Sequence, residues 1–141
     1  MDKDGDGRKR LTDFEAAETM PAFSPDGEWV VFSTDRAGGW KLWIQRLDGS
    51  EGRFLEPSRL NIPDTSMHPR FSPDGEWVVC TSDRGGFNDE WPLTPFPQPY
   101  GDLWAVSVSD GVSVRLIHNK WEDGPNDWGP VRLPGRDPER P

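Results

Sequence analysis

Apolar positions along this chain fall in short runs separated by turn residues, and the runs repeat. Phe-Ser-Pro-Asp-Gly-Glu-Trp-Val-Val spans Phe23 to Val31 and recurs, letter for letter, from Phe71 to Val79. An identity of this length marks an array of one supersecondary unit. Ser24-Pro25-Asp26-Gly27 has the chemistry of a type I turn: Pro presets φ, Asp bonds locally and Gly takes the left-handed corner. Trp29 to Ser33 is nearly all β-branched or aromatic, as in a strand covered on both faces. Asp35 to Gly39 forms a second turn. Lys41 to Leu47 alternates, with Leu42, Ile44 and Trp43 as packing residues. Asp48-Gly49 turns again and Gly52 to Leu55 supplies a fourth strand. Four short antiparallel strands in about 40 residues make one blade-like sheet.

The second copy follows the same plan, with Pro69 to Phe71 leading in, Ser72-Pro73-Asp74-Gly75 as the turn and Trp77 to Ser82 as the second strand. Cys80 falls where Phe32 sits, which reads as a small core residue more than a reactive thiol. Asp83-Arg84 matches Asp35-Arg36; an arginine repeated after the same turn implies a structural role, bonding a neighbouring loop's carbonyls or carboxylate. The copies then diverge. A Pro- and aromatic-rich insert at about 87–101 separates this turn from Leu103-Trp104, which answer to Leu42-Trp43. Asp-Gly followed by a basic residue and Leu occurs at Asp6 to Leu11, Asp48 to Leu55 and Asp110 to Leu116, which predicts three outer hairpins. The fold class is therefore all-β: a β-propeller, two four-stranded antiparallel blades of an incomplete ring. Residues 1–13 are expected to be the outer strand of a preceding blade, 14–56 the first full blade and 57–118 the second. Residues 119–141 are expected to hold the leading strand of a further blade, around Trp128, and a disordered tail.

Composition narrows the functions. The net charge is −9, which argues against a nucleic-acid partner and an anionic membrane surface. No apolar run approaches the roughly 20 residues of a membrane helix, so no membrane insertion is expected, and residues 1–20 lack the apolar core of a secretion signal. The single cysteine excludes an internal disulfide. Asp2, Asp4, Asp6 and Gly7 fit the start of a calcium loop, but the twelfth position is Asp13 where a bidentate Glu is required, and the turn is the better reading.

Pro-x-Phe-Ser-Pro-Asp-Gly, an apolar strand, Ser/Thr-Asp-Arg-x-Gly, a second apolar strand, then Asp-Gly and basic-x-Leu together resemble the TolB-like β-propeller repeat, related to the WD repeat without its Gly-His and Trp-Asp pairs. The likeness covers about residues 2–130. It implies a parent of six to eight blades, of which this chain would be a C-terminal part, and a periplasmic or extracellular setting. Because each blade buries its faces against its neighbours, the outward faces here are expected to be bare and to allow self-association.

For chemistry the sequence is sparse. It has no Gly-x-Ser-x-Gly elbow, no zinc spacing and no phosphate loop. His68 and His118 stand apart, without partners that would make a site. No cofactor and no catalysis are expected. The candidate ligand-binding residues are Trp91, Phe96 and Tyr100 of the insert, since an elaborated loop on a regular array often lines a binding surface and aromatic faces stack on sugars or pack on peptides. The competing reading folds these rings back over the blade edge. Trp121 and Trp128 read as filling between blades. The expected function is a non-catalytic TolB-like module that binds protein or carbohydrate. The alternatives are the propeller part of an enzyme, either a prolyl-oligopeptidase-type peptidase or a polysaccharide lyase or glycosidase, and a non-functional gene fragment.

Overall fold

The computed structural model describes residues 4, 6–84, 101–117 and 126–129. Two four-stranded antiparallel sheets form. The first runs in the order β1 (Glu18–Phe23), β2 (Trp29–Thr34), β3 (Lys41–Arg46), β4 (Gly52–Phe54). The second runs β5 (Ser66–Phe71), β6 (Trp77–Ser82), β7 (Asp102–Ser107), β8 (Ser113–Arg115).

The repeated turn explains the repeated geometry. Ser24 Oγ accepts the Trp29 N–H at 2.9 Å and donates to Asp26 Oδ1 at 2.5 Å. Ser72 Oγ does the same with Trp77 and Asp74, at 2.9 and 2.5 Å. The Ser hydrogen bond and the backbone N–H two residues on hold both carboxyls below the usual Asp range, so each turn is locked by an ionised Asp. Ser24, Asp26, Ser72 and Asp74 are thus committed to the fold.

Both leading strands are longer than the sequence suggests, starting at Glu18 and Ser66 where the pattern pointed to Pro21 and Pro69. The register slips between Thr19 and Ala22, and again between Met67 and Arg70. A proline has no N–H for the ladder and restricts the residue before it. Met20 and His68, each just before the proline, sit at φ 57° and 53°. The bulge hides the strand from a period-two reading.

Two other expectations need correction. Residues 6–13 are not a strand. They lie against the first sheet through a hydrogen bond from Gln45 Nε2 to the Leu11 carbonyl, 2.8 Å, while Phe14 meets the Trp43 ring edge-on at 5.7 Å; packing without a ladder partner leaves the backbone irregular. The outer hairpins share one strand register, but the Asp-Gly motif sits one residue later in the second. Phe54 pairs with Trp43, but Arg115 pairs with the equivalent Trp104, so Arg53 and Arg115 are not counterparts.

The sheets stack face to face. Ala22, Val31, Leu42, Ile44 and Leu55 from the first side share one core with Val78, Cys80 and Val106 from the second. Each fully buried aliphatic side chain contributes about 1.5–3 kcal/mol. Ser33 Oγ donates to the Ser66 carbonyl (3.1 Å) and the Ser66 N–H to the Trp40 carbonyl (2.9 Å), which sets the stagger.

Candidate functional site

The antiparallel order brings several connections to one rim. Glu18 pairs with Thr34, and Thr34 with Lys41, so the β2–β3 turn lies at the end where β1 begins. The Ser66–Trp40 bond puts the start of β5 there too. Ser82, the last residue of β6, pairs with Asp102, the first of β7, so residues 85–100 connect two points of this same rim. Trp91, Phe96 and Tyr100 themselves lie outside the described residues, as do His118 and Trp121.

On the rim, a cleft of about 470 Å³ opens between the β2–β3 turn and the linker that joins the sheets, lined by Gly38, Gly39, Lys41, Ile62, Asp64 and Thr65. Its floor is an ion-pair network. Lys41 Nζ donates to the carbonyls of Ile62 (2.8 Å) and Asp64 (2.7 Å) and pairs with the Asp64 carboxylate, which also takes Arg59. Burial pushes the Asp64 carboxyl up, but Lys41 and Arg59 outweigh it and hold it below the usual range. Lys41 is 5% exposed and Asp64 6%, so these charges fix the linker and are not open to a ligand. Thr65 Oγ1, also on the cleft, is buried with no partner.

Beneath the rim the repeated arginines take up the structural role expected of them. Arg84 makes a two-pronged pair with Glu56 at 2.5 and 2.7 Å and adds a bond to Ser66 Oγ at 2.9 Å. Burial pulls the Arg84 guanidinium down, and Glu56 more than restores it. Arg36 pairs with Glu18 at 2.7 Å, a residue of its own sheet, not of a neighbouring loop. It lies over the rings of Phe14 and Trp43, 3.5 and 4.1 Å from their centroids.

The other candidates separate. His68 is on β5, half-buried, with Nδ1 buried and unpartnered. Burial and then Arg70 lower its pKa. Cys80 is fully buried and its thiol is pushed up to about 12 by burial, which makes it an inert core group. Trp128 donates its indole N–H to the Arg70 carbonyl at 3.2 Å, and Asn126 Nδ2 to the His68 carbonyl at 3.1 Å, so this segment lies along β5. Among the described residues no group of three or more His, Cys, Asp or Glu side chains is set to hold a metal ion. No described helix is long and apolar enough to cross a membrane. The arginine's repetition signalled a carboxylate partner in a neighbouring loop but not that the partner is Glu56.

No family model matches the chain. An uncharacterised protein of Agrobacterium fabrum is 42% identical over 50 residues, 36% of this chain and 17% of that protein. The Tol-Pal system protein TolB of Bordetella pertussis is 36% identical over 47 residues, 33% of this chain and 11% of its own length. The chain thus spans less than a fifth of these curated relatives. Among solved structures, one from Agrobacterium tumefaciens assigned to TolB superposes with a TM-score of 0.63 at 28% identity, covering 83% of this chain and 39% of that one. TolB of Acinetobacter baumannii gives 0.55 at 23% identity, covering 77% and 23%. A puromycin hydrolase gives 0.57 at 23% identity, covering 79% and 16%, which speaks for the fold alone.

Proposed function

We propose, on the premise that both sheets are blades of the TolB-like propeller kind, that this chain is a non-catalytic binding module whose partner is a protein or a glycan. The observation that carries the reading is the rim. The insert leaves and rejoins it at the paired residues Ser82 and Asp102, and the cleft beside Thr65 opens on the same end. Trp91, Phe96 and Tyr100 offer the aromatic faces that sugars and peptides stack on. A periplasmic setting follows from the likeness to Tol-Pal TolB.

The test is a triple variant, Trp91→Ala with Phe96→Ala and Tyr100→Ala, compared with the parent against a panel of soluble oligosaccharides and of peptides. The parent is expected to bind a member of one panel, and the variant to lose that binding with an unchanged melting temperature. Equal binding by both removes the insert from the site. Hydrolysis or eliminative cleavage of a panel member by the parent would favour the enzyme reading instead.

A further inference from the structure

At the end away from the rim, the two sheets differ by one exchange. In the first, Trp29 pairs with Arg46; in the second, Trp77 pairs with Ser107. The backbone around the two positions is alike. The Leu47 N–H donates to the Glu28 carbonyl and the Val108 N–H to the Glu76 carbonyl, both at 2.9 Å. On this shared frame a guanidinium has given way to a small hydroxyl.

Arg46 has definite work in the first sheet. Its guanidinium lies over the Trp29 ring, 5.0 Å from the centroid, and its Nη2 pairs with Glu28 at 2.8 Å. The Ser24 hydroxyl and the Glu28 N–H hold the Asp26 carboxyl below the usual range, and Arg46 adds to them; Ser50 and then Arg46 do so for Asp48. One cation thus serves an aromatic face and three carboxylates. The second sheet keeps the ring and the acids. Trp77, Asp74 and Glu76 replace Trp29, Asp26 and Glu28, and Asp110 stands in the outer turn as Asp48 does. Ser72 and the Glu76 N–H hold Asp74 low, and Ser107 and the Val112 N–H hold Asp110 low, with no cation contributing to either. Among the described residues no arginine or lysine pairs with Glu76 or lies over the Trp77 ring.

Where the guanidinium is missing there is space. A cleft of about 400 Å³ is lined by Gly75, Glu76, Trp77, Ser107, Val108 and Ser109. Trp77 is half-buried and Glu76 exposed. Arg53 of the first sheet approaches from the seam, but its guanidinium is bonded to the Val108 carbonyl. An aromatic face beside an unpaired carboxylate attracts a planar cation, which stacks on the one and pairs with the other. A neutral sugar would leave the carboxylate's charge unmet.

We infer that this cleft receives an arginine side chain of a basic partner protein, held between the Trp77 ring and the Glu76 carboxylate as Arg46 is held in the first sheet. The net charge of −9 draws such a partner in from a distance. The cleft lies at the opposite end of the second sheet from Ser82 and Asp102, so it is separate from the insert and does not depend on the reading proposed for it.

The experiment is an NMR titration of the full chain at low ionic strength, following the Trp77 indole N–H, which is identified by its absence in Trp77→Phe. The probe is acetyl-Gly-Arg-Gly-amide, taken into the millimolar range that one cation–π contact and one exposed ion pair require. Its control carries citrulline, which keeps the planar group and loses the charge. The arginine peptide should shift the signal saturably, and the citrulline peptide should bind about tenfold more weakly. Glu76→Gln should weaken the arginine peptide about threefold, with a melting curve that matches the parent because Glu76 is exposed. Ser107→Arg fills the cleft from within and should abolish the shift; should that variant fail to fold, the citrulline peptide and Glu76→Gln still decide. No saturable shift with the arginine peptide, equal binding of the citrulline peptide, equal binding by Glu76→Gln, or a shift given by cellobiose and not by the peptide would each overturn the inference.

Discussion

The two sheets share a turn and the first three residues of a central strand to the letter, yet they neutralise the same arginine from different places. In the second, Arg84 takes its carboxylate from Glu56, at the end of the first sheet, and a hydroxyl from Ser66 at the head of its own leading strand. In the first, Glu18 at the head of the leading strand supplies the carboxylate, and Thr12, in the position corresponding to Glu56, supplies a hydroxyl to it. Acid and hydroxyl have changed places around a fixed guanidinium. The repeat therefore conserves the charge balance of this corner, not the residue that provides it. Only the second arrangement ties one sheet to the other.

Breaking that tie should give the largest effect. The Arg84 side chain is 1% exposed and Glu56 6%, so Glu56→Ala leaves a buried cation unpaired, at a cost of about 3–5 kcal/mol. Glu18→Ala should cost less, about 1.5 kcal/mol, because the Arg36 side chain is 12% exposed and keeps its stacking on Phe14 and Trp43. Urea unfolding measures both. The comparison sharpens with Glu56→Thr and Ser66→Glu together, which copies the first sheet's arrangement into the second. That double variant should regain most of the loss. If it is no more stable than Glu56→Thr alone, the exchange of places is not an equivalence.

A second contrast lies in the outer turns. Gly49 and Gly111 both adopt positive φ, 84° and 72°, but an added Cβ at Gly49 meets nothing within 4 Å. At Gly111 it would run into the Leu55 carbonyl oxygen, at the seam between the sheets. Gly49→Ala then costs only the left-handed backbone, about 1 kcal/mol. Gly111→Ala adds a clash and should reach about 2–3 kcal/mol. Equal losses for the two would mean that the seam yields freely at this turn.

Much of the fold could be read in advance because its signals are local. Ser-Pro-Asp-Gly closes on itself through Ser24 Oγ and Asp26, and a β-branched run such as Val30–Val31 after it has few alternatives. What escaped reading depends on distant partners or on a broken period. The bulge at Met20 and His68 interrupts the alternation of β1 and β5. The Asp-Gly pairs suggested that Arg53 and Arg115 are equivalent, but cross-strand pairing sets Arg115 opposite Trp104 and bonds it to Asp102, while Arg53 reaches the Val108 carbonyl. Of the candidate site, the spacing of Asp83-Arg84 and Leu103-Trp104 located the insert between two strands, and pairing fixes those strands' rim. The ligand role proposed for Trp91, Phe96 and Tyr100 depends on contacts that spacing does not encode.

The smallest contrast is between Phe32 and Cys80, equivalent positions on the two central strands. Cys80 is fully buried, and burial pushes its thiol up to about 12; the unfolded chain's thiol ionises near 8.5. The folded pKa is the higher one, so the protonated thiol's contribution is complete below about 8.5 and declines as pH rises towards the folded value. Between about pH 8.5 and 9.5 this single group should cost about 1 kcal/mol of stability. Cys80→Val keeps an apolar side chain of similar size and removes the titration, so the difference between parent and variant isolates the thiol from every other ionising group. The parent should lose stability over that interval faster than Cys80→Val by that amount, and its thiol should react with an alkylating reagent only once urea has unfolded the chain. Parallel pH curves with rapid alkylation of the native protein would place Cys80 at an open seam, and the packing of the second sheet on the first would then have to be looser than its core implies.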